Sequence, residues 1–343
     1  MNRNTHAREA LEPIDRAIVD ALHRDGRAPW SRVAEQVGVS AVTVRRRYES
    51  LHTQGLIRVI GATDVVRLGL GTPIYMRISN AHGDMDVLIP RLRERIEVRS
   101  FHTLLGSVDI AAEMVLPPDA EYSRLVAEIT AGTSASAESL LLTHAFASGQ
   151  DWAPPFETNE PTRLAPVKTE PAPHLELSQT EVKVLGMLMH DGRTSLGDLA
   201  ASIGKSENTA ARTIEQLKEY GVLDFRILVE PELLGFNTEF HLWLVVEPQH
   251  LRQTALTLAE HPSTKYLTAT TGNCSLAGQF IVRDRTELFH YSTEVLGSLP
   301  GIRSAELSIQ TATHKRVWTS IIEGKYTTDG QPPDPIEYLR PRS

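Results

Sequence analysis

The strongest chemical signature in this chain is a run of small and basic residues between Ser40 and Arg47, which ends in three consecutive arginines. Small side chains at the start of a helix let it approach the base edges of a DNA major groove, and guanidinium groups one turn later can donate to guanine or phosphate. The predicted DNA-binding residues are Ser40, Ala41, Val42, Thr43, Arg45, Arg46 and Arg47. The alternative interpretation is a solvated basic helix face.

Helical spacing around this run predicts a helix-turn-helix. Ser40 is a good N-cap residue, and the apolar face of the helix that follows it has i, i+4, i+7 spacing. Pro13 suits the first turn of an earlier helix that ends at Gly26, and Gly38 provides the tight turn before Ser40. The apolar positions of the three helices are Ile14, Ile18, Ala21, Leu22, Val33, Ala34, Val37, Val44, Tyr48 and Leu51.

This block occurs twice along the chain, with a constant separation of 166 residues. A period of this length indicates duplication of a multi-domain unit, because stacked repeats have periods of about 20 to 50 residues. The equivalent segments are Asp25–Arg27 and Asp191–Arg193, Val37–Ser40 and Ile203–Ser206, Gly55–Ile57 and Gly221–Leu223, and Leu68–Gly69 and Leu234–Gly235.

The second helical copy keeps the shape of the first and loses its positive charge. Ala211 and Thr213 replace the first and third arginines, and Glu207 lies at the tip of the third helix. A carboxylate there repels phosphates, although it can also accept from cytosine. Residues 1–60 contain ten Lys and Arg against seven Asp and Glu, whereas residues 176–226 contain six against eight. The second helix-turn-helix is therefore predicted to be degenerate, with weak or specialised DNA binding.

A module rich in strands is predicted after each helical block. In the first copy, Ile74, Met76 and Ile78 alternate with Tyr75 and Arg77, which is the two-residue period of a strand. The order of elements is βαββαβ in both copies. The predicted fold class is α+β, with two helix-turn-helix (winged-helix-like) domains and two ferredoxin-like βαββαβ sandwich domains. Helices cover one face of each sheet, so the open apolar face needs a partner.

Proline spacing and the repeat together divide the chain into six predicted segments. Residues 151–175 are rich in proline and poor in apolar side chains, which indicates an extended linker, and residues 326–343 have a similar composition. Ile336, Tyr338 and Leu339 could dock on a neighbouring surface. The predicted segments are a helix-turn-helix at 1–60, a ferredoxin-like domain at 61–150, the linker at 151–175, a second helix-turn-helix at 176–228, a second ferredoxin-like domain at 229–325 and the tail at 326–343.

Composition excludes several classes of protein and site. Cys274 is the only cysteine, so an intrachain disulfide or a cysteine-based zinc site cannot form. Residues 1–10 contain charges without an apolar run, and no segment approaches 18 apolar residues, so we expect a cytoplasmic chain with no membrane partner. His102 and His144 lie on neighbouring predicted strands and raise a metal hypothesis. Scattered strand histidines without close spacing predict neither a metal site nor a cofactor.

The order of these motifs resembles the Lrp/AsnC family, the feast/famine transcriptional regulators. The resemblance implies a helix-turn-helix followed by a ferredoxin-like effector module, which pairs sheet against sheet into dimers and binds small molecules, usually amino acids, near the interface. The expected partners are double-stranded DNA, a small-molecule effector such as an amino acid, and further copies of the chain in a dimer or higher homo-oligomer. The residues that carry the resemblance are Asp25, Gly26, Arg27, Val33, Ala34, Val37, Gly38, Val39, Ser40, Arg47, Leu51, Gly55, Leu56, Ile57, Leu68 and Gly69.

The same resemblance implies an effector loop of the form Gly-x-x-Asp between the middle strands of each ferredoxin-like module. In the second copy a serine replaces the aspartate, so only the first loop could pair an ammonium group with a carboxylate. Both glycines could alternatively serve only as hairpin turns. The effector-binding residues implied by the resemblance are Gly106, Ser107, Val108, Asp109, Gly272, Asn273 and Ser275.

Two functions remain after this comparison. The first is a non-enzymatic, sequence-specific DNA-binding regulator in which the duplicated modules pair within one chain and chains associate further. The second is an enzyme, because sirohaem decarboxylases are similar to the same family and use the paired sandwich as a catalytic cavity. The arginine-bearing helix favours the regulator, as does the absence of a dense His/Arg/Tyr cluster in the sequence around Gly106 or Gly272.

Overall fold

The computed structural model describes residues 10–148, 175–327 and 335–336. Apart from Leu175, the predicted linker lies outside the described residues, as do Tyr338 and Leu339 of the tail. The helices are α1 (Pro13–Arg24), α2 (Trp30–Val37), α3 (Ala41–Thr53), α4 (Met85–Glu94), α5 (Tyr122–Thr130), α6 (Gln179–His190), α7 (Leu196–Ile203), α8 (Glu207–Glu219), α9 (Pro248–Glu260) and α10 (Arg285–His290), and α10 continues through a π-turn at Tyr291–Val295 into Leu296–Ser298.

Strands alternate with these helices in the order predicted from the repeat. A 3-10 turn at Pro231–Leu234 follows the sixth strand. The strands are β1 (Ile57–Ala62), β2 (Thr72–Ser79), β3 (Val98–Leu105), β4 (Ile110–Leu116), β5 (Ser136–Ala147), β6 (Asp224–Val229), β7 (Thr238–Val246), β8 (Thr264–Thr270), β9 (Leu276–Val282), β10 (Ile302–Arg316), β11 (Thr319–Ile322) and β12 (Lys325–Tyr326).

Helix starts in both helical blocks follow local capping chemistry. The hydroxyl of Ser40 accepts from the backbone N–H of Thr43 at 3.1 Å, which satisfies one of the free donors at the start of α3. Ser178 and Glu181 form a reciprocal capping box at the start of α6. Gly38 ends α2 with a φ of 77°, a conformation that glycine adopts without strain. These short-range interactions explain why both helix-turn-helix units could be predicted from the sequence.

The two ferredoxin-like sheets close on each other. Each sheet contains four antiparallel strands in the ferredoxin-like order, β3-β4-β2-β5 in the first copy and β8-β9-β7-β10 in the second. The long strands β5 and β10 cross from their own sheet to the other, so β5 also pairs with β8 and β10 also pairs with β3. The result is a closed eight-stranded barrel built from one chain, which confirms the predicted pairing of the duplicated modules.

Closure of the barrel explains the burial pattern of its strands. Ile74, Met76 and Ile78 pack outward against α4 and α5, whereas Tyr75 and Arg77 of the same strand face the barrel interior and are also buried. The equivalent outer face of the second sheet packs on α9 and the α10 segment. The open face predicted for each sheet is therefore covered by the other copy. On α10, Leu288 and Tyr291 pack inward, whereas the ring of Phe289 is 65% exposed.

A second antiparallel pairing joins the two helical domains. β1 and β6 form a two-stranded ribbon in which Ile60 lies opposite Arg226, its equivalent in the other copy. Ile227 and Val229 of this ribbon pack into the core of the first helical domain, although they belong to the second copy. The sequence did not predict β1 or β6. The proposed domain boundary after residue 60 falls inside β1, because the strand serves both halves of the molecule.

The segment after β10 is bound to the body of the protein. In the β11–β12 hairpin, the backbone N–H of Tyr326 donates to the carbonyl oxygen of Gly55 at 2.8 Å. The approach is so close that a Cβ added to Gly55 would lie 2.7 Å from the carbonyl oxygen of Tyr326. Ile336 is fully buried in the core of the second helical domain. The described part of the tail therefore packs on both helical domains, and Ile336 docks as its apolar side chain allowed.

Candidate DNA-binding surface and ligand cavity

Helix α3 presents the predicted DNA-binding residues on the surface. Val44 and Tyr48 are buried against the other helices of the domain, which turns the opposite face toward solvent. Val42 on that face is 78% exposed, and both Arg45 and Arg46 are exposed. Ser40 and Thr43 lie at the exposed start of the helix and contact each other through their hydroxyls, next to the half-buried Ala41.

The three arginines of α3 have different environments. Arg45 pairs with Glu49 one turn later, with 2.7 Å between Nε and Oε1, and both side chains are exposed. Arg46 makes no ion pair or hydrogen bond with any described residue. Arg47 turns back toward α1 and lies 3.0 Å from carboxylate oxygens of both Glu12 and Asp15. Because its charge is already paired with these carboxylates, Arg47 does not belong to the exposed DNA-contacting face, which corrects its predicted role.

The equivalent surface of α8 has less positive charge. Glu207 and Asn208 are exposed at its start, and Arg212 lies at the position equivalent to Arg46. Thr213, the equivalent of Arg47, is buried and donates its hydroxyl to the carbonyl of Thr209 at 2.9 Å. Glu215 further along the helix pairs with Lys218 at 3.3 Å. Both α3 and α8 are therefore exposed on the surface. They differ in charge because α8 has fewer basic and more acidic side chains than α3.

The loops implied as an effector site use their polar side chains for internal contacts. Asp109 is 3% exposed, and its carboxylate accepts from the backbone N–H of Ala81 at 2.8 Å while the His82 ring lies 2.6 Å away. In the second copy, the hydroxyl of Ser275 accepts from the backbone N–H of Val246 at 2.8 Å. Aspartate and serine thus perform the same backbone-bridging task. This geometry corrects the expectation that Asp109 is available to an effector ammonium group.

The remaining residues of these loops contact the opposite copy. A Cβ on Gly106 would lie 2.2 Å from the hydroxyl oxygen of Ser308, and one on Gly272, which has a φ of 94°, would lie 2.7 Å from Leu140. Val108 is buried in the barrel interior. Ser107 donates to Glu306, and Asn273 donates to Glu138 at 3.0 Å. Close packing between the copies therefore explains both glycines.

Arg77 joins the two loops through a charged cluster at this end of the barrel. Its guanidinium donates to both carboxylate oxygens of Glu306 at 2.8 Å and lies 3.4 Å from Glu138. The same group stacks over the Trp243 ring at 4.6 Å. These contacts occupy the place where the resemblance implied an effector.

A cavity of about 110 Å³ lies instead between the barrel and the β1–β6 ribbon. The barrel side supplies most of its polar groups, and the ribbon side supplies mainly aliphatic groups. No sequence motif marks this site, because its lining residues come from many separate elements. The principal polar lining residues are Tyr75, Arg99, His102, Glu113, Lys265 and Arg316.

Buried ionisable groups make the cavity electrostatically distinctive. Burial lowers the pKa of His102 well below its usual range, and the nearby His241, Arg316 and Lys265 lower it further. Burial and the Arg316 charge lower the pKa of Lys265 to about 8, although Glu239 opposes that shift. For both groups burial is the largest cause of the lowered pKa, and neighbouring cations add to it. The described residues contain no cluster of histidine, cysteine and acidic side chains that could hold a metal ion, and none of their helices has the length and apolar character needed to cross a bilayer.

Comparison with known proteins identifies the family. The AsnC-type helix-turn-helix domain matches residues 11–52, and a winged helix-turn-helix DNA-binding domain matches residues 177–224. An HTH-type transcriptional regulator of Pyrococcus abyssi, itself uncharacterised, is 30% identical over 142 residues, which are 41% of this chain and 90% of that protein. This chain belongs to the Lrp/AsnC family. The HTH-type transcriptional regulator AldR of Mycolicibacterium smegmatis is 32% identical over 130 residues, 37% of this Lrp/AsnC chain and 75% of AldR.

Each of these relatives matches a length of about one unit of the duplicated Lrp/AsnC chain, whereas solved structures of one protein span both units. The crystal structure of the siroheme decarboxylase NirDL covers 95% of this chain and 97% of its own length, with a TM-score of 0.60 and 12% sequence identity. At that identity the similarity is evidence for a shared fold and is not evidence about activity. It confirms the α+β fold class for the complete two-unit arrangement.

Proposed function

We propose that this Lrp/AsnC protein is a sequence-specific transcriptional regulator that binds its operator mainly through α3. The observation that carries the proposal is the exposed face of α3, where Val42, Arg45 and Arg46 stand free of the domain core. Small side chains at the tip allow the helix to enter the major groove, and the two arginines can reach base edges or phosphates. Family membership supports the same function.

The second helical domain acts mainly as a scaffold in this proposal. Glu207 at the tip of α8 would lie where a phosphate lies against α3, and desolvating that carboxylate beside a phosphate is unfavourable. The β1–β6 ribbon fixes α8 relative to α3 within one chain. A symmetric operator therefore needs α3 helices from two chains, and we infer that chains associate into a dimer or higher assembly. Light scattering with and without operator DNA tests this, and a single chain on each operator would contradict it.

The DNA-binding test compares equivalent positions in the two copies. Mobility shift with DNA from upstream of the protein's own gene should give specific binding by the unaltered chain. Arg46→Ala should weaken specific binding by about 1–3 kcal/mol if the guanidinium reads a base, and Arg45→Ala should have an effect of the same direction. The matched control is Arg212→Ala, the same change at the equivalent position of α8, and it should have a smaller effect. Equal or larger loss with Arg212→Ala would refute the asymmetry.

The enzyme alternative now has one observation in its favour and one against it. The cavity has the clustered His, Arg and Tyr side chains that the sequence did not reveal near Gly106 or Gly272. Its volume of about 110 Å³ in this structure lies below the roughly 300–1,000 Å³ of sites for drug-sized ligands, and a tetrapyrrole is larger still. We therefore favour the regulator. Loss of carbon dioxide from a tetrapyrrole carboxylate incubated with the purified chain would reverse that preference.

A further inference from the structure

We infer that α3 recognises a thymine and a nearby guanine in each operator half-site, the thymine through Val42 and the guanine through Arg46. This inference rests on the proposed function, because it names the bases that the DNA-binding helix contacts. Both side chains are exposed on α3. The argument for each base comes from the position of the side chain on the helix, from its contacts and from the chemistry of the major groove.

Helical geometry places Val42 and Arg46 near the centre of the outward face of α3. At about 100° per residue, both lie within about 30° of the direction opposite the buried stripe of the helix, whereas Arg45 lies about 90° from it. Long side chains of a helix lean toward its N-terminus, so the Arg46 side chain extends over the turn that contains Val42. A groove that accepts this face meets these two side chains first. The buried stripe consists of Val44, Tyr48 and Leu51.

The chemistry of the major groove favours one base as the partner of Val42. This side chain is 78% exposed and can neither donate nor accept a hydrogen bond. The base edges in the major groove present hydrogen-bond donors and acceptors, together with the C5-methyl group of thymine. Contact between that methyl group and the valine removes apolar surface of both from water. The hydroxyls of Ser40 and Thr43 contact each other at the helix start, so they are already engaged beside this position.

The contacts of the two neighbouring arginines favour Arg46 as the one that contacts a base. Arg45 pairs with Glu49 at 2.7 Å and so neutralises a carboxylate that would otherwise repel phosphates. Among the described residues, Arg46 has neither an ion-pair partner nor a hydrogen-bond partner. Its guanidinium therefore keeps all its donors for a ligand. A bidentate arrangement of two of them matches the O6 and N7 acceptors of guanine.

The separation of the two residues sets the separation of the two bases. Side chains at positions i and i+4 of a helix start about 5–6 Å apart, and stacked base pairs rise about 3.4 Å per step. We therefore expect the thymine and the guanine about one or two base-pair steps apart. At the equivalent positions of α8, Asn208 replaces Val42 and Arg212 replaces Arg46. Asparagine matches the edge of adenine, so the two helices fit different bases.

Selection from a pool of random DNA duplexes by the complete chain tests the base assignment. The enriched sequences should contain a thymine and a guanine at a fixed separation of about one or two steps in each half-site. Enrichment of sequences without this pair would contradict the inference. Val42→Asn introduces the residue found at the equivalent position of α8, where the same helical fold accepts it. Selection by this variant should lose the thymine and keep the guanine.

Base analogues then test each contact separately in mobility shift assays with the selected duplex. Deoxyuridine in place of the thymine lacks the C5-methyl group and should weaken binding by the unaltered chain about fourfold, as expected for one methyl group. Val42→Ala should bind the thymine and deoxyuridine duplexes equally. 7-Deazaguanine in place of the guanine lacks the N7 acceptor and should weaken binding by the unaltered chain about tenfold. Arg46→Ala should be insensitive to that replacement.

Arg212→Ala is the matched control, because it changes the equivalent position of α8 and should keep full sensitivity to both analogues. Equal affinity of the unaltered chain for thymine and deoxyuridine duplexes would overturn the thymine assignment, as would a deoxyuridine effect that persists in Val42→Ala. The guanine assignment fails if 7-deazaguanine has no effect on the unaltered chain, or the same effect on Arg46→Ala. Failure of the proposed function has a different result: selection would enrich no sequence at all, and the inference would fail with it.

Discussion

The hydroxyl of Tyr75 lies 2.6 Å from Nδ1 of His241, and these residues occupy equivalent positions in the two copies, 166 residues apart. On its other side, His241 Nε2 is 3.1 Å from the amide oxygen of Gln310. Burial lowers the pKa of His241 to about 4, so the neutral ring accepts from Tyr75 and donates to Gln310. The two copies are thus related by a pseudo-twofold axis that places equivalent positions in contact with each other. The residue at this position is tyrosine in the first copy and histidine in the second.

Tyr75→Phe tests the contribution of this contact to stability. Removing the hydroxyl leaves a buried imidazole nitrogen without its donor, which should lower the free energy of unfolding by about 1–3 kcal/mol. Urea unfolding monitored by circular dichroism measures the change. Tyr122→Phe is the control, because Tyr122 is exposed on α5 and should change stability by less than about 0.5 kcal/mol. Equal stability of the two variants would show that the Tyr75–His241 hydrogen bond contributes little.

A reciprocal pair of arginines holds the two helical domains together. Arg193 donates to the carbonyls of Gly26 and Ala28 at 2.7 and 2.9 Å, and Arg27 makes the equivalent contacts with Gly192 and Thr194. The two differ in their aromatic contacts. Arg193 lies 3.5 Å from the centroid of the Trp30 ring, whereas Arg27 lies 5.4 Å from that of Phe225.

Arg193→Ala should therefore cost more stability than Arg27→Ala. Both variants lose two charge-assisted hydrogen bonds, worth about 1.5–3 kcal/mol each in favourable cases, and Arg193→Ala also loses a close cation–π contact worth about 1–2 kcal/mol. The midpoint of urea unfolding ranks the two variants. A larger loss from Arg27→Ala would show that the hydrogen bonds, rather than the stacking on Trp30, decide the difference.

Short-range features of the fold were predictable from the sequence, and long-range ones were not. The capping hydroxyl of Ser40 and the turn at Gly38 depend on neighbours within a few residues, so composition and spacing revealed them. β1 was missed because all six of its residues are buried, which removes the alternation that marks a half-exposed strand. Its partner β6 lies in the other copy.

The same distinction between short-range and long-range features applies to the candidate sites. The outward face of α3 follows from helical period alone, and the structure places Val42, Arg45 and Arg46 on it. Pairing of Arg47 with Asp15 depends on how α1 packs against α3, which spacing does not specify. The cavity brings His102 of the first copy close to Lys265 of the second, and no local pattern connects those positions.

Gly106→Ala distinguishes a packing role from an effector-binding role for the first loop. The added methyl group would lie within 3 Å of the Ser308 side chain on β10, so the contact between the copies must shift. We expect a loss of about 1–3 kcal/mol in unfolding free energy, typical of overpacking. Gly83→Ala is the matched control, since a Cβ there meets nothing within 4 Å. Recovery of stability in Gly106→Ala with Ser308→Gly would confirm the cause, whereas a neutral Gly106→Ala would contradict it.

Buried histidines predict a loss of stability in mild acid. Burial lowers the pKa of His23, His241 and His314 to about 4 in the folded chain, against an unfolded value near 6.5. As the pH falls below 6.5, the unfolded state binds protons that the folded state does not, so the free energy of unfolding decreases with pH until about pH 4. Each histidine contributes a slope of up to about 1.4 kcal/mol per pH unit within that window.

Urea unfolding at several pH values between 7 and 4.5 measures this slope, and two variants assign it. His241→Gln removes one titrating ring while glutamine can still hydrogen bond to Tyr75, so the slope should fall by about one proton equivalent. His290→Gln replaces a histidine on α10 whose side chain is 56% exposed, and it serves as the surface control. If both variants keep the full slope, carboxylates rather than buried histidines cause the acid sensitivity.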